Sequence, residues 1–534
     1  MSNDSIKKNS FYIMGITLVA TLGGLLFGYD TAVISGAVGS LNSFFITPLF
    51  HDQVHALSVI FQYRITVCLV MIILGTAISA IFFKLFSKKN GLISTILLFA
   101  VGAFFMVRMF LQPRILDEET ANSLKGFTVS SALIGCILGG TIGGFVSRNM
   151  GRKNGLVLAA CLFCLSALGA SIPDKMNFLC IETINSFIFY RIIGGIGVGL
   201  ASMLSPMYIA EIAPANIRGK LVSWNQFAII FGMLVVYFVN YFIAKQGDTS
   251  WNITTGWRWM FASGMIPSLI FLILLFFVPE TPRYLVMKDK PTKALDLLKK
   301  LSGAEAAQSE LDDIKESLKT KSAPWLSYGF LVILIGILLS VFQQFVGINV
   351  VLYYAPEIFK NMGSATDTAL LQTIIVGIVN LSFTVLAIVS VDRFGRKPLM
   401  IIGSLGMAVS MFLLGSAFFT QHVGLGALIF MLIYIASFAM SWGPVTWVLL
   451  SEIFPNSIRD AMSIAVAAQW IANLVISWTF PMMNDNTWLT GIFHHGFSYW
   501  IYGVMGILSA LFMWRMVPET KGKSLETMEK LWKK

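Results

Sequence analysis

Glu211-Ile-Ala-Pro214, with Arg218 four residues on, returns 241 residues later as Glu452-Ile-Phe-Pro455 with Arg459 at the same spacing. Two further pairs keep the same order. Gly151-Arg152-Lys153 recurs as Gly395-Arg396-Lys397 at an offset of 244, and Pro279-Glu280-Thr281 recurs as Pro518-Glu519-Thr520 at an offset of 239. Chance could supply any one pair. Three in order, each at the same end of an apolar stretch, predict a duplicated unit whose two copies share one orientation.

The apolar stretches set the size of that unit. Of the 534 residues 56% are hydrophobic and only 12% charged, with 43 Phe, whereas soluble proteins carry about 25% charged residues. Most of this chain therefore lies in lipid. Crossing the hydrocarbon core takes about 20 mostly apolar residues. Stretches of that size fall near 11–38, 59–83, 91–110, 124–146, 154–171, 182–206, 220–243, 258–278, 327–355, 369–391, 398–418, 426–450, 461–481 and 497–517. Twelve of these fourteen satisfy the duplication. The expected fold class is an all-α polytopic membrane protein with two six-helix halves in the same orientation, plus a two-helix hairpin inserted after the first helix (about 50–122). The hairpin is expected to be peripheral and lipid-facing. The expected domains are an N-terminal half over 1–282, a helical linker over 283–325, a C-terminal half over 326–517 and a tail over 518–534. The apolar run from Phe11 is too long for a signal-peptide core and reads as a retained first helix.

The net charge of +11 needs a source other than nucleic acid, because a chain buried in lipid has little water-facing surface for a basic footprint. Alternating the spans from an inside N-terminus places 28 of the 38 Lys and Arg residues on one side, among them Lys84, Lys88, Lys89, Arg148 and the tail lysines. The positive-inside rule makes that side, and both termini, cytoplasmic. The five cysteines sit in or beside apolar runs, and Cys161-x-x-Cys164 has no second ligand pair, so packing is expected and no metal site. His51, His55, His422, His494 and His495 fall in loops or near span ends and join no nucleophile; an enzyme is not expected.

Ionisable residues deep in a span are functional candidates by default. Asp30 lies in the glycine-rich run from Leu22 to Gly36, and Arg191 opens Arg-Ile-Ile-Gly-Gly-Ile-Gly-Val-Gly on another helix of the same half. Such a pair can be a proton switch or a static buried ion pair that fixes helix register. In the second half Gln343-Gln344-Phe-Val-Gly-Ile-Asn349-Val-Val-Leu-Tyr353-Tyr354 predicts a helix break at Gly347 that points amides at one cavity. Amides carry donors and acceptors together and so match sugar hydroxyls. Asn380, Trp442, Trp447, Gln469, Trp470 and, from the first half, Gln226 are further polar or aromatic candidates.

These motifs, with Pro279-Glu-Thr-Pro-Arg-Tyr-Leu285, Gly443-Pro-Val-Thr-Trp-Val-Leu-Leu-Ser-Glu-Ile-Phe-Pro455 and Pro518-Glu-Thr-Lys-Gly-Lys-Ser-Leu525, together resemble the sugar porter branch of the major facilitator superfamily. The resemblance covers nearly the whole chain outside 50–122. It implies a proton-coupled monosaccharide symporter of a bacterial inner membrane, with D-xylose as the expected sugar. Facilitative uniport, symport of glucose, galactose or arabinose, and a sugar sensor are the alternatives. No cofactor is implied beyond the co-transported proton, and the partners are sugar, proton and lipid, with no nucleic acid and a monomeric chain. By the same resemblance Asp30 and Arg191 couple the proton, and Gln226, Gln343, Gln344, Asn349, Trp447, Gln469 and Trp470 contact sugar. Phe27, Tyr353 and Asn380 line or gate the cavity. Arg152, Glu211, Arg218, Asp392, Arg396, Glu452 and Arg459 form a cytoplasmic charge network that joins the halves in the outward-facing state. Three positions depart from the pattern: Arg148 replaces an acidic residue that Asp392 keeps, Met233 replaces a sugar-contacting glutamine, and Gly264 replaces an intramembrane glutamate.

Overall fold

The computed structural model of the chain describes residues 3–86, 88–113, 115–214, 217–319, 323–521 and 532. The side chains of Lys7, Lys8, Asp392 and Arg459, and all of Arg114, Lys321 and the tail lysines beyond Lys521, lie outside the described residues.

Fourteen helical spans are long and apolar enough to cross a membrane among the described residues. Helix is the form that satisfies every backbone N–H and C=O without water. The first eight are α1 (Phe11–Phe50), α2 (Gln53–Leu85), α3 (Lys88–Leu111), α4 (Glu118–Asn149), α5 (Arg152–Ser171), α6 (Thr183–Ile212), α7 (Arg218–Ala244) and α8 (Thr249–Leu275). Three short helices follow, α9 (Pro282–Met287), α10 (Pro291–Ser302) and α11 (Ala304–Lys319). The last six spans are α12 (Phe330–Asn361), α13 (Thr366–Val391), α14 (Arg396–Phe419), α15 (Leu425–Ile453), α16 (Met462–Asn484) and α17 (Gly496–Met516). α1 and α4–α8 make one half, α12–α17 the other. The halves meet along two seams, α4 against α16 and α7 against α13.

Close approach inside the first half depends on small residues. A Cβ on Gly28 would collide with the carbonyl oxygen of Ile229, so its absence lets α1 lie on α7 and fixes Phe27 and Asp30 in place. In α10 and α11, Ala294, Leu298, Ala307 and Leu311 bury against one another in a small core of their own, which is why this polar segment folds as a helical pair.

The hairpin helices pack mainly on each other. α3 is lipid-facing, with Gly91 its one buried residue. α2 is peripheral too, but Leu74, Ala77, Ile78, Ala80, Ile81 and Lys84 border the open margin of the large cavity. Most of α2 packs on α3, where Gly75 faces Phe99. At its other end Tyr63 pairs with Ser123 on α4 at 2.9 Å, and Ser123 in turn takes the indole N–H of Trp478 on α16. Arg64, which hydropathy leaves as an isolated charge, is buried and donates to the carbonyls of Gln112 and Pro113 at the end of α3.

Candidate functional site

The repeated loop motifs assemble into two copies of one arrangement. Gly151 and Gly395, at φ of +98° and +89°, turn the chain into α5 and α14. At each helix start a carboxylate accepts backbone N–H groups that have no intrahelical partner. Glu280 takes those of Arg152 and Lys153, both at 3.1 Å; Glu519 takes those of Arg396 at 3.1 Å and Lys397 at 3.0 Å. Arg152 pairs with Glu211 at 2.8 Å and Arg396 with Glu452 at 3.0 Å. Thr281 and Thr520 each donate a hydroxyl to the far oxygen of that glutamate, at 2.6 Å. The copies differ in electrostatics. Burial pushes the Glu280 carboxyl up from its ordinary range. Glu519 is also desolvated, but the backbone donors of Lys521, Lys397, Arg396 and Thr520 prevail and hold it below that range. Sequence repetition singled out Pro-Glu-Thr, but not that its glutamate caps a helix from the other end of the half.

Between the halves lies a cavity of about 2690 Å³ that runs from the amide cluster to this basic end, where Arg148, Arg152, Arg218 and Arg396 line it. The opposite end is closed across the halves: Lys125 pairs with Asp485 at 2.8 Å, and the Tyr237 hydroxyl donates to the carbonyl of Leu352 at 3.1 Å. Neither contact was singled out from the sequence, since none of the four residues belongs to a repeated motif. At the open end Arg152–Glu211 and Arg396–Glu452 are bonds within a half, and Arg218 is exposed.

The amides converge as the helix break predicts. The first segment of α12 ends at Phe345, Gly347 takes φ +92°, and its second segment starts at Ile348. Asn349 then donates to Gln344 at 2.6 Å, Gln344 to Gln343 at 3.3 Å, and Gln469 from α16 to the same Gln343 oxygen at 2.6 Å. Gln343 is anchored by its own donation to the carbonyl of Trp442 at 2.9 Å. The Gln469 side-chain oxygen is buried with no protein partner, an acceptor kept free on the cavity wall. Gln226, Met233, Tyr353, Asn380, Trp447 and Trp470 line the same cavity. Phe27 on α1 and Trp470 on α16 meet across it with ring centroids 5.6 Å apart. Trp442 stands elsewhere: its indole is wholly buried and donates to Ser404 at 2.7 Å, so its role is to seat Gln343. Asn473 and Thr384 also line the cavity and were missed, being lone polar residues without a motif.

Asp30 and Arg191 meet deep in the first half. Arg191, 1% exposed at its side chain, places Nη1 3.0 Å from Oδ1 of Asp30 and donates from Nη2 to the Asp30 carbonyl at 2.9 Å. Its guanidinium lies 5.3 Å from the centroid of the Phe261 ring. Phe27 on α1 faces the large cavity, whereas Asp30 faces a separate, small one.

Residues 16–115 and 108–532 match the family model described as sugar (and other) transporter. The chain belongs to the sugar transporter family. The D-xylose-proton symporter of Escherichia coli strain K12 is 55% identical to it, over 98% of this chain and 97% of that protein. The glucose facilitated diffusion protein of Zymomonas mobilis is 38% identical, over 99% of each. Among solved structures, the inward open conformation of the E. coli xylose transporter XylE superposes with a TM-score of 0.77 at 52% identity, covering 98% of this chain and 100% of that one. This transporter thus has the major facilitator fold with one added hairpin, and it is not an enzyme.

Proposed function

We propose that this transporter is a proton-coupled D-xylose symporter that works by alternating access, residing in a bacterial inner membrane with both termini in the cytoplasm. The observation that carries the reading is the Asp30–Arg191 pair, set in the same half as one wall of an amide-lined cavity and matched by 55% identity to a D-xylose-proton symporter. A charge pair in that place is costly to keep in lipid, and one whose aspartate gains and loses a proton gives it a use.

In this reading Gln226, Gln343, Gln344, Asn349, Trp447, Gln469 and Trp470 hold the sugar through donors, acceptors and aromatic faces, while Phe27, Tyr353 and Asn380 gate it. Protonation of Asp30 from outside frees the Nη1 bond of Arg191, sugar binds, and the halves rock about the seams. Once the site faces inward, the Arg191 charge favours loss of the proton. Arg152, Glu211, Arg218, Asp392, Arg396, Glu452 and Arg459 would join the halves when the basic end closes. The unit is a monomer, divided as 1–282, 283–325, 326–517 and 518–534. The inward-open neighbour and the open basic end support placing that end in the cytoplasm.

Uptake by proteoliposomes of xylose, glucose, arabinose and galactose, each with and without an imposed proton gradient, tests the reading. Xylose is expected to accumulate above equilibrium only with the gradient. The facilitated-diffusion relative favours a second reading, uniport; sugar-induced alkalinisation of a lightly buffered suspension distinguishes the two, because a uniporter moves no proton.

A further inference from the structure

Asp30 is not a wall residue of the sugar cavity. It borders a small chamber of about 10 Å³ between α1, α5 and α8, together with Tyr29, Ser166, Gly264 and Ser268. That volume is about the size that admits one water molecule. Two buried oxygen atoms at this chamber make no hydrogen bond within the protein: Oδ2 of Asp30 and Oγ of Ser166. Each is expensive to bury without a partner, and Ser166 is only 1% exposed. Gly194 brings them together. A Cβ there would collide with the Ser166 hydroxyl and lie 3.3 Å from Oδ1 of Asp30.

Gly264 keeps the chamber open. It interrupts α8 between Trp257–Ser263 and Met265–Leu275. A Cβ on it would stand 3.3 Å from the carbonyl oxygen of Phe261, a tight approach, and in ordinary contact with Cβ of Ala167 at 3.6 Å and Cε1 of Tyr29 at 3.7 Å. A methyl group would therefore enter this space at the cost of a small local shift at the Phe261 carbonyl. On the chamber's margin the Tyr29 hydroxyl pairs with Ser263 at 2.7 Å. The other titratable groups facing Asp30 are Arg191 from α6, Cys136 from α4 and Tyr353 from α12.

We propose that this chamber is a one-water hydration site through which the proton reaches Asp30, with Ser166 as its positioning residue. The sugar and the proton then approach α1 from opposite sides. A hydronium in the chamber gives its proton to Oδ2 and remains as a water held by the Ser166 hydroxyl. Asp30 becomes neutral, and Arg191 keeps both its charge and its bond to the Asp30 carbonyl. The inference rests on the proton-coupled reading above.

The test compares Ser166→Ala and Gly264→Ala with the unaltered transporter in proteoliposomes. Proton-driven xylose uptake is measured over a range of external pH, alongside sugar exchange at equal concentration on both sides. Delivery of a proton by a positioned group is worth about a hundredfold or more in rate; losing the water's anchor or its space is expected to slow driven uptake at least about tenfold at alkaline external pH. The deficit should shrink as the medium is acidified, while exchange stays unchanged. Unaltered driven uptake at every pH in both variants would overturn the proposal. So would equal loss of uptake and exchange in both, which marks a purely structural role. Asp30→Asn in the same vesicles separates the two levels: if it still accumulates sugar, the symport reading fails; if it does not while both chamber variants behave as the parent, only the chamber fails.

Discussion

Arg191 holds Asp30 twice, through the carboxylate oxygen Oδ1 at 3.0 Å and through the backbone carbonyl of the same residue at 2.9 Å. Only the first bond depends on the charge of Asp30. The second keeps the guanidinium tethered to α1 in either protonation state, so in the proposed coupling the switch is confined to one contact and the arginine is not cast loose in lipid.

Removing the arginine alone should therefore be worse than removing the pair. Arg191→Met strands a buried carboxylate, at a cost of about 3–5 kcal/mol. The double variant Asp30→Asn with Arg191→Met should regain most of that in thermal unfolding in detergent. A double variant no more stable than Arg191→Met would contradict this account of the pair.

Gln343 is the hub of the amide cluster, because its oxygen serves Gln344 and Gln469 and its nitrogen is fixed by Trp442. Gln343→Ala leaves two donors without their acceptor, each worth about 1–3 kcal/mol. Equilibrium xylose binding should weaken about tenfold to a hundredfold. Unchanged affinity would remove Gln343 from the sugar site.

The Lys125–Asp485 bridge closes the end opposite the open cavity. A part-exposed ion pair is worth about 1 kcal/mol, so Asp485→Asn should shift the equilibrium away from the present conformation by about fivefold. Thiol labelling of a cysteine introduced at Ser451, on the cavity wall, should slow by up to that factor, and exchanging the two charges should restore it.

The two helix-capping glutamates should answer acid differently. Glu519 titrates below its ordinary value of 4.5, so its contribution to stability is present above that value and is lost as the pH falls toward its folded-state value. Glu280 titrates above 4.5, so the folded state takes up its proton more readily and acidification through that range favours folding. Glu519→Gln should remove part of the acid sensitivity of thermal unfolding, and Glu280→Gln should not. Identical acid profiles for the two variants would count against the difference between the copies.

The duplication, the count of spans and the break at Gly347 were legible because each is written in local sequence: a motif, a run of apolar residues, a glycine between amides. Asp30 and Arg191 stood out because charge is rare in lipid. What stayed hidden depends on helices that meet only in space. The Tyr63–Ser123–Trp478 chain joins three helices, two of them in different halves, and the Lys125–Asp485 closure needs both halves in place. The capping of α5 by Glu280 and of α14 by Glu519 gave the repeated Pro-Glu-Thr its reason only once those helices were packed.

The claim on which the rest depends is that Asp30 couples sugar movement to the proton. The direct measurement is Asp30→Asn in proteoliposomes, scored for xylose accumulation under an imposed proton gradient and for xylose exchange without one. Accumulation should vanish while exchange persists, because the neutral amide fills the place of the protonated acid but cannot release a proton. Accumulation above equilibrium by the variant would contradict the account.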